Sequence, residues 1–236
     1  MVISDMESPK DYILEVSNLN VILSNQVILE SINFKLEKGS ILAVCGPNGA
    51  GKTMLFRSLL NTIPYTGKIE WKNKVKIGYV PQLLSVRDIP VSVKEFLSFK
   101  NGSKITSSDI DNALSLVGLK SKLVLQKSLG TLSGGQLRRV LIAWAIIDKP
   151  NVLLFDEATT GVDLDSEEAI YRMLKNLAKE NEMTLLLISH DLHIIREYSD
   201  YMLVLNKCMT FFGESKEIMN ESMQSMIYGE TVCREM

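Results

Sequence analysis

One eight-residue segment constrains this chain more than any other feature of its sequence. It reads Gly46-Pro47-Asn48-Gly49-Ala50-Gly51-Lys52-Thr53 and fits the pattern G-x-x-x-x-G-K-[ST] at every fixed position. An apolar run at 41–45 precedes it, and we predict a helix from Lys52 towards Leu60. In that setting the backbone N–H groups and the helix N-terminus form a cradle for phosphate. The alternative, a Gly-rich turn that matches by chance, is disfavoured by the flanking strand and helix.

The two polar residues that end this segment have distinct expected roles. We expect the Lys52 ammonium to reach the β- and γ-phosphates of a nucleotide, and the Thr53 hydroxyl to bind Mg²⁺. All eight residues of segment 46–53 are therefore candidates for binding ATP.

Two adjacent carboxylates end a second apolar run, at 152–155. Such a strand end brings an aspartate to the Mg²⁺ beside a phosphate-binding loop, so we assign Asp156 to the metal. Glu157 comes one residue later, where the chain leaves the sheet, and it is our candidate for the general base that polarises the attacking water. The alternative reading is a pair of solvated acids.

Composition excludes several classes of protein. The 236 residues suffice for one large α/β domain or two small ones, and a net charge of −2 gives no basic excess for nucleic acid. The longest apolar stretch, 140–147, is too short to cross a bilayer, and residues 1–10 lack an export signal, which favours the cytoplasm. The three cysteines, which contain no C-x-x-C motif, are expected to be reduced thiols.

The apolar pattern predicts an α/β fold with two additions. Continuous apolar runs at 41–45, 152–155 and 184–188 are typical of a parallel sheet. Short runs in the first forty residues predict an antiparallel meander, and a hairpin at 67–80 is expected to return to it. The stretch 91–125 reads as a helical insertion, with Ser92 and Ser107 as candidate helix caps. The meander runs span 12–16, 20–23 and 31–36.

The segment Leu132-Ser133-Gly134-Gly135-Gln136 identifies the family. By itself it predicts a helix start, because Ser133 and Gln136 have the spacing of a capping box. It also resembles the signature of the ATP-binding subunits of ABC transporters, and it lies between the phosphate-binding loop and the acidic strand as in that family. The resemblance implies a P-loop NTPase core of ABC type with an antiparallel β subdomain and a helical subdomain, here a single domain over 1–236 with the helical part near 83–150.

The same resemblance assigns roles to further residues. Gln82 matches the Q-loop, which touches the metal and the water, Asp163 matches the D-loop, and His190 matches the switch histidine that contacts the γ-phosphate. In this family two copies bind head to tail. The resemblance therefore implies a homodimer in which Ser133, Gly134, Gly135 and Gln136 of one copy close over ATP held by the other.

Three segments resemble the zinc and manganese uptake subgroup of this family. They span 77–82, 160–163 and 189–193, and the first and third favour zinc. This resemblance implies a peripheral ATPase on the cytoplasmic face of the membrane. Its partners would be membrane permease subunits and, indirectly, an extracytoplasmic metal-binding protein.

Three other classes remain as alternatives. An ATPase of iron–sulfur cluster assembly has a similar size but usually reads Ser-Gly-Gly-Glu in its signature. A DNA-directed ABC ATPase would need a long coiled-coil insertion, for which the interval from Lys52 to Ser133 is too short. An exporter or lipid-type transporter subunit is the third. Within the importer class, the ATPase of an importer for another substrate is a further alternative.

Two positions depart from the family pattern. Leu23 stands where many members carry an aromatic ring that stacks on adenine. Ala158 replaces the proline that usually follows the catalytic glutamate, a change expected to affect loop stiffness more than chemistry.

Overall fold

A single nine-stranded sheet organises the part of the chain that the computed structural model describes, residues 11–72, 74–82, 90–100, 105–156 and 164–217. The strand order is β4-β1-β2-β9-β8-β3-β7-β6-β5. The strands are β1 (Tyr12–Leu23), β2 (Gln26–Glu37), β3 (Ile41–Cys45), β4 (Thr66–Trp71), β5 (Ile77–Val80), β6 (Val152–Asp156), β7 (Thr184–Ile188), β8 (Tyr201–Asn206) and β9 (Cys208–Glu214). The α-helices are α1 (Lys52–Leu59), α2 (Val93–Ser98), α3 (Ser107–Leu116), α4 (Ser121–Val124), α5 (Gly134–Ile146), α6 (Leu164–Glu180) and α7 (Leu192–Tyr198).

The centre of the sheet is parallel and covered on both faces. Strands β8, β3, β7, β6 and β5 pair in parallel, and every residue of β3, β6 and β7 is buried. Alternate residues of these strands pack into two separate apolar cores, one containing α1 and the other containing α5, α6 and α7. The predicted α/β class is confirmed, and its continuous apolar strands are those of a sheet covered on both faces.

The antiparallel region differs in detail from the predicted meander. Its first two predicted runs are one twelve-residue strand, β1, which pairs with both β2 and β4. The polar residues between those runs do not form a turn. They form a register irregularity between Val16 and Leu19, where Asn18 adopts a left-handed φ of 48°. A bulge lets one strand continue through residues that look like a turn in the sequence.

The predicted hairpin at 67–80 is wrong in its second arm. Strand β4 joins the antiparallel region, but β5 pairs in parallel with β6 at the far edge of the central sheet. Gly78 allows α5 to pack directly on β5, because a Cβ at that position would lie 2.5 Å from the Ala145 carbonyl oxygen. Alternation of apolar residues reports which faces of a strand are buried, but not which strand is its neighbour.

Helices α2 to α5 lie between β5 and β6 in the chain. Ser92 caps α2 as predicted, accepting a hydrogen bond from the Glu95 N–H. The predicted cap at Ser107 is wrong, because Thr106 caps α3 through a reciprocal pair of bonds with Asp109. Threonine and serine are both favoured N-cap residues, so the sequence alone does not decide which of Thr106 and Ser107 caps α3. Within the described residues, no helix combines the length and the apolar character needed to span a membrane.

The expectation of three reduced thiols fails at one described position. Cys45 is a free thiol on β3, and burial raises its pKa to about 12. Cys208, at the start of β9, is disulfide-bonded. Cys233 lies outside the described residues.

Candidate functional site

Four strand ends bring predicted site residues to one edge of the sheet. In the parallel register Ile188 pairs with both Val44 and Asp156, and Phe155 pairs with Val80. The carboxyl ends of β3, β5, β6 and β7 therefore coincide. Beyond the ends of β3, β5 and β7 lie, in turn, the phosphate-binding loop, Gln82 and His190. In open parallel sheets this edge is where ligands bind.

The glycines of the phosphate-binding loop have two different functions. Gly46 and Gly51 adopt φ angles of 141° and 98°, and a Cβ at these positions would lie 2.0 Å from the Leu205 carbonyl oxygen and 2.5 Å from Leu29 Cδ2. The backbone contact therefore requires glycine at position 46, and the left-handed φ favours it at position 51. Gly49 has a φ of 81°, but a Cβ there would meet nothing within 4 Å. Its open surroundings leave room for a ligand to approach the backbone.

Helix α1 presents uncapped N–H groups to this loop. Gly51 occupies the N-cap position in a left-handed conformation, and no side chain caps the helix. The first N–H groups of an α-helix have no partner within the helix and carry a partial positive charge. The start of α1 is therefore suited to an anion.

Lys52 is buried beneath the loop, with 8% of its surface exposed. Its ammonium donates hydrogen bonds to the carbonyl oxygens of Gly46 at 2.8 Å and Pro47 at 3.1 Å. These bonds use two of the three N–H donors of the ammonium. The lysine thus fixes the curvature of the loop and places its charge at the phosphate cradle.

Asp156 is almost fully buried, at 1% exposure, and two elements donate hydrogen bonds to it. The Thr53 hydroxyl on α1 donates to Oδ1 at 3.3 Å, and the Tyr79 hydroxyl on β5 donates to Oδ2 at 3.2 Å. Sequence reasoning found Thr53 and missed Tyr79. The signal that could have found it is strand register: Tyr79 pairs with Leu154, two residues before Asp156, so both side chains point to the same face.

Tyr79 is held in its protonated form. Burial, followed by the negative charge of Asp156 and the hydrogen bond to it, raises the pKa of Tyr79 to about 12. The phenol therefore stays a hydrogen-bond donor at physiological pH.

The oxygen atoms at the end of β6 fit a magnesium ion. Mg²⁺ prefers oxygen ligands and commonly takes one or two protein groups together with phosphate oxygens. The Thr53 hydroxyl and the Asp156 carboxylate are adjacent, as that arrangement requires. Across the described residues no group of three or more His, Cys, Asp or Glu side chains could hold a metal. The Thr53 and Asp156 oxygen atoms therefore suit a metal site with few protein ligands, in which a nucleotide supplies the remaining ligands.

A cleft of about 330 Å³ opens above the phosphate-binding loop. Its lining consists of loop and α1 residues together with one residue from β2 and one following β5; these are Ile28, Asn48, Gly49, Ala50, Gly51, Lys52, Thr53, Met54 and Gln82. The structure thus places Gln82 beside the loop, while its contact with the metal and the water stays a prediction. The apolar side chain that lines the cleft from the antiparallel region is Ile28, which sequence reasoning did not single out. Leu23 lies half-buried at the end of β1 and is not part of this lining.

The signature segment lies at the start of α5. Ser133 caps the helix, with its hydroxyl accepting the Gln136 N–H at 3.2 Å while Gln136 Oε1 accepts the Ser133 N–H at 3.3 Å. The capping-box prediction is confirmed. Ser133 and Gly134 are exposed, and a Cβ at Gly135 would meet nothing within 4 Å. No signature residue belongs to the described lining of the cleft above the loop.

His190 follows β7 and is exposed. The next residue, Asp191, caps α7 by accepting hydrogen bonds from the His193 and Ile194 N–H groups at 2.8 and 3.4 Å. This cap fixes the chain direction directly after His190. Two predicted site residues, Glu157 and Asp163, lie outside the described residues, as does Ala158, and their roles stay predictions.

A family model described as ABC transporter matches residues 29–160, which include the phosphate-binding loop, the signature and Asp156. The chain belongs to the ABC transporter family. It is an ATP-binding and ATP-hydrolysing chain of the ABC type, as the resemblance of its motifs implied. The fold class and the family that the sequence predicted are both confirmed.

Individual ABC relatives match along most of the chain. The zinc import ATP-binding protein ZnuC of Pasteurella multocida (strain Pm70) is 34% identical, over 94% of this chain and 84% of its own. ZnuC of Photorhabdus laumondii is 39% identical, over 83% of this chain and 75% of its own. Among solved structures, a metal-chelate type ABC transporter in an inward-facing conformation superposes with a TM-score of 0.81. It is 29% identical, with 92% of this chain and 89% of that chain covered.

The aliphatic lining of the ABC nucleotide cleft leads to a prediction about base selectivity. We expect ATP to bind more tightly than GTP by only a small factor, below about tenfold, because Ile28 is aliphatic and cannot form hydrogen bonds to the base edges by which adenine and guanine differ. Ile28 also offers no ring for stacking. Base–aromatic stacking is worth ~1–3 kcal/mol, so Ile28→Tyr is expected to tighten ATP binding by about fivefold or more. Calorimetric titration of both nucleotides tests this.

Val27→Tyr is the matched control, because Val27 is the residue next to Ile28 on β2 and is 44% exposed. It is expected to leave both affinities unchanged. Strong discrimination against GTP by the parent chain would contradict the prediction and would indicate that another group reads the base.

Proposed function

We propose that this ABC ATPase drives the import of a metal ion through a separate membrane permease, with zinc favoured and manganese as the alternative. The observation that carries the proposal is the likeness to relatives named zinc import ATP-binding protein over more than nine-tenths of the chain. The structural likeness to a metal-chelate type ABC transporter supports the same class. Nothing in these comparisons favours an ATPase of iron–sulfur cluster assembly.

The proposed chemistry divides among the residues at the sheet edge. The loop N–H groups and Lys52 hold the phosphates, while Thr53, Asp156 and Gln82 hold Mg²⁺. When bound, Mg²⁺ neutralises charge on the phosphate oxygens and orients them. Glu157 accepts a proton from the attacking water.

His190 donates a hydrogen bond to the γ-phosphate, where negative charge develops. Its exposed position beyond β7, at the same sheet edge as the phosphate-binding loop, supports this role.

We further propose that two copies form a head-to-tail dimer with ATP between them. The exposed signature supports this, because its helix N-terminus and its bare glycines face open space. Among the residues that the structure describes, nothing packs closely enough to require glycine at position 135, and at Gly49 only the positive φ does so. ATP between the two segments would approach both backbones. Asp163, in the D-loop, would lie at the same interface.

The remaining partners follow from the importer class. A permease would hold the ATPase on the cytoplasmic face of the membrane, and an extracytoplasmic metal-binding protein would deliver the ion. Metal selectivity would then belong to those partners.

Metal uptake by cells that lack the gene tests the proposed function. We expect deletion to lower the initial rate of ⁶⁵Zn uptake at limiting zinc by about tenfold, because transport stops without ATP hydrolysis. The parent chain supplied on a plasmid should restore uptake, whereas Lys52→Ala should not.

Manganese uptake by the same cells distinguishes the outcomes. Loss of ⁵⁴Mn uptake with normal zinc uptake would replace zinc by manganese. Unchanged uptake of both metals would overturn metal import, while leaving the ATPase activity of the chain in place.

A further inference from the structure

Tyr79 lies outside the residues that bind the phosphates, yet its hydroxyl reaches the carboxylate at the end of β6. The Tyr79 hydroxyl donates to Asp156 Oδ2 at 3.2 Å, while Thr53 donates to Oδ1 at 3.3 Å. Each oxygen of the carboxylate thus accepts a hydrogen bond from a side chain of a different element, α1 or β5. Because Asp156 is 1% exposed, water has little access to replace either bond.

We propose that Tyr79 is a positioning residue for the Mg²⁺ site, which fixes Asp156 so that Oδ1 faces Thr53 and the metal. The inference rests on the proposed function, because it assumes that Asp156 and Thr53 hold Mg²⁺. A bond to Oδ2 stops rotation of the carboxylate about its Cβ–Cγ axis. Groups that bond to metal ligands in this way orient the ligand and tune its affinity.

The location of Tyr79 gives this bond a second consequence. Tyr79 lies on β5, three residues before Gln82, and Gln82 lines the cleft above the phosphate-binding loop. Segment 79–82 therefore contains one residue that donates a hydrogen bond to the Asp156 carboxylate and another that lines the cleft. A displacement of this segment would change the orientation of Asp156 at the same time as the position of Gln82.

The test measures how much Mg²⁺ tightens nucleotide binding by the full-length chain. A non-hydrolysable ATP analogue is titrated by calorimetry, once in EDTA and once in Mg²⁺, into the parent and into Tyr79→Phe. Affinity in EDTA should be the same within about twofold. The gain produced by Mg²⁺ should be about 10- to 100-fold smaller in the variant, as for other groups that bond to metal ligands. Mn²⁺ electron paramagnetic resonance of the same complexes should show weaker metal binding.

Two further variants separate positioning from packing. Replacing Tyr79 by 4-aminophenylalanine retains the ring and a donor, and should restore most of the Mg²⁺ effect. Tyr198→Phe is the matched control, because it removes a tyrosine hydroxyl that donates to another carboxylate, Glu168, at 3.0 Å. It should match the parent.

The outcomes distinguish the inference from the proposed function. If Mg²⁺ tightens binding equally in the parent and in Tyr79→Phe, the positioning role is wrong. If the aminophenylalanine variant behaves like Tyr79→Phe, the ring packing rather than the donor matters, and the inference is again overturned. If Mg²⁺ produces no gain in the parent itself, the proposed metal site fails.

Discussion

Lys52→Ala is expected to lower the affinity for ATP by about 10²-fold or more. In the structure the ammonium is buried and bonds to the carbonyl oxygens of Gly46 and Pro47, so the substitution removes both the cation and the bonds that shape the loop. A hydrogen bond to a charged group contributes ~1.5–3 kcal/mol, and each 1.4 kcal/mol corresponds to about tenfold in affinity. Calorimetric titration with ATP measures the loss.

Two control variants separate these contributions. Lys179→Ala removes an exposed lysine of α6 and should bind ATP like the parent chain. Lys52→Met keeps much of the side-chain volume without charge. It should bind as weakly as Lys52→Ala if the cation dominates. Retention of parent affinity by both Lys52 variants would contradict the assigned phosphate role.

The central sheet and the phosphate-binding loop could be predicted because both are written in local patterns. The loop has fixed spacing, and β3, β6 and β7 are uninterrupted apolar runs that end at polar residues. Each pattern lies within a dozen consecutive residues. No knowledge of distant neighbours is needed to interpret it.

The pairing of β5 could not be predicted, because it depends on contacts that are distant in sequence. Strand β5 has the alternation of a half-buried strand, which suits an antiparallel hairpin equally well. In the structure β5 pairs with β6 and packs closely on α5 at Gly78, 67 residues before Ala145. The same long-range pairing with β6 brings Tyr79 to Asp156, and this explains why that contact was missed.

The signature shows a different limit of sequence reasoning. Its helix cap was predictable from Ser133 and Gln136, and the structure contains it. The expected contact between the signature and ATP involves two copies of the chain, so patterns within one sequence could not predict it. Only resemblance to the family supplied it, and the exposed position of Gly134 agrees with a contact made by a second copy.

Glu157→Gln is expected to slow ATP hydrolysis by ~10²–10⁴-fold while ATP still binds. Glutamine keeps the size and hydrogen bonding of the side chain but removes the charge that polarises the attacking water. Lys52 and Thr53 are unchanged, so the phosphates and Mg²⁺ retain their ligands. Because hydrolysis no longer separates the two copies, the dimer should persist in gel filtration with ATP and Mg²⁺. Release of phosphate gives the rate.

The comparison with the parent chain decides the role of Glu157. The parent should elute as a monomer once its ATP is hydrolysed, whereas the variant should remain dimeric in the same buffer. Glu182→Gln removes the charge of an exposed glutamate beyond α6 and should behave like the parent in both measurements. If Glu157→Gln stays monomeric and hydrolyses ATP at the parent rate, another group must activate the water. A monomer that binds ATP but does not hydrolyse it would instead retain Glu157 as the base and reject the head-to-tail dimer.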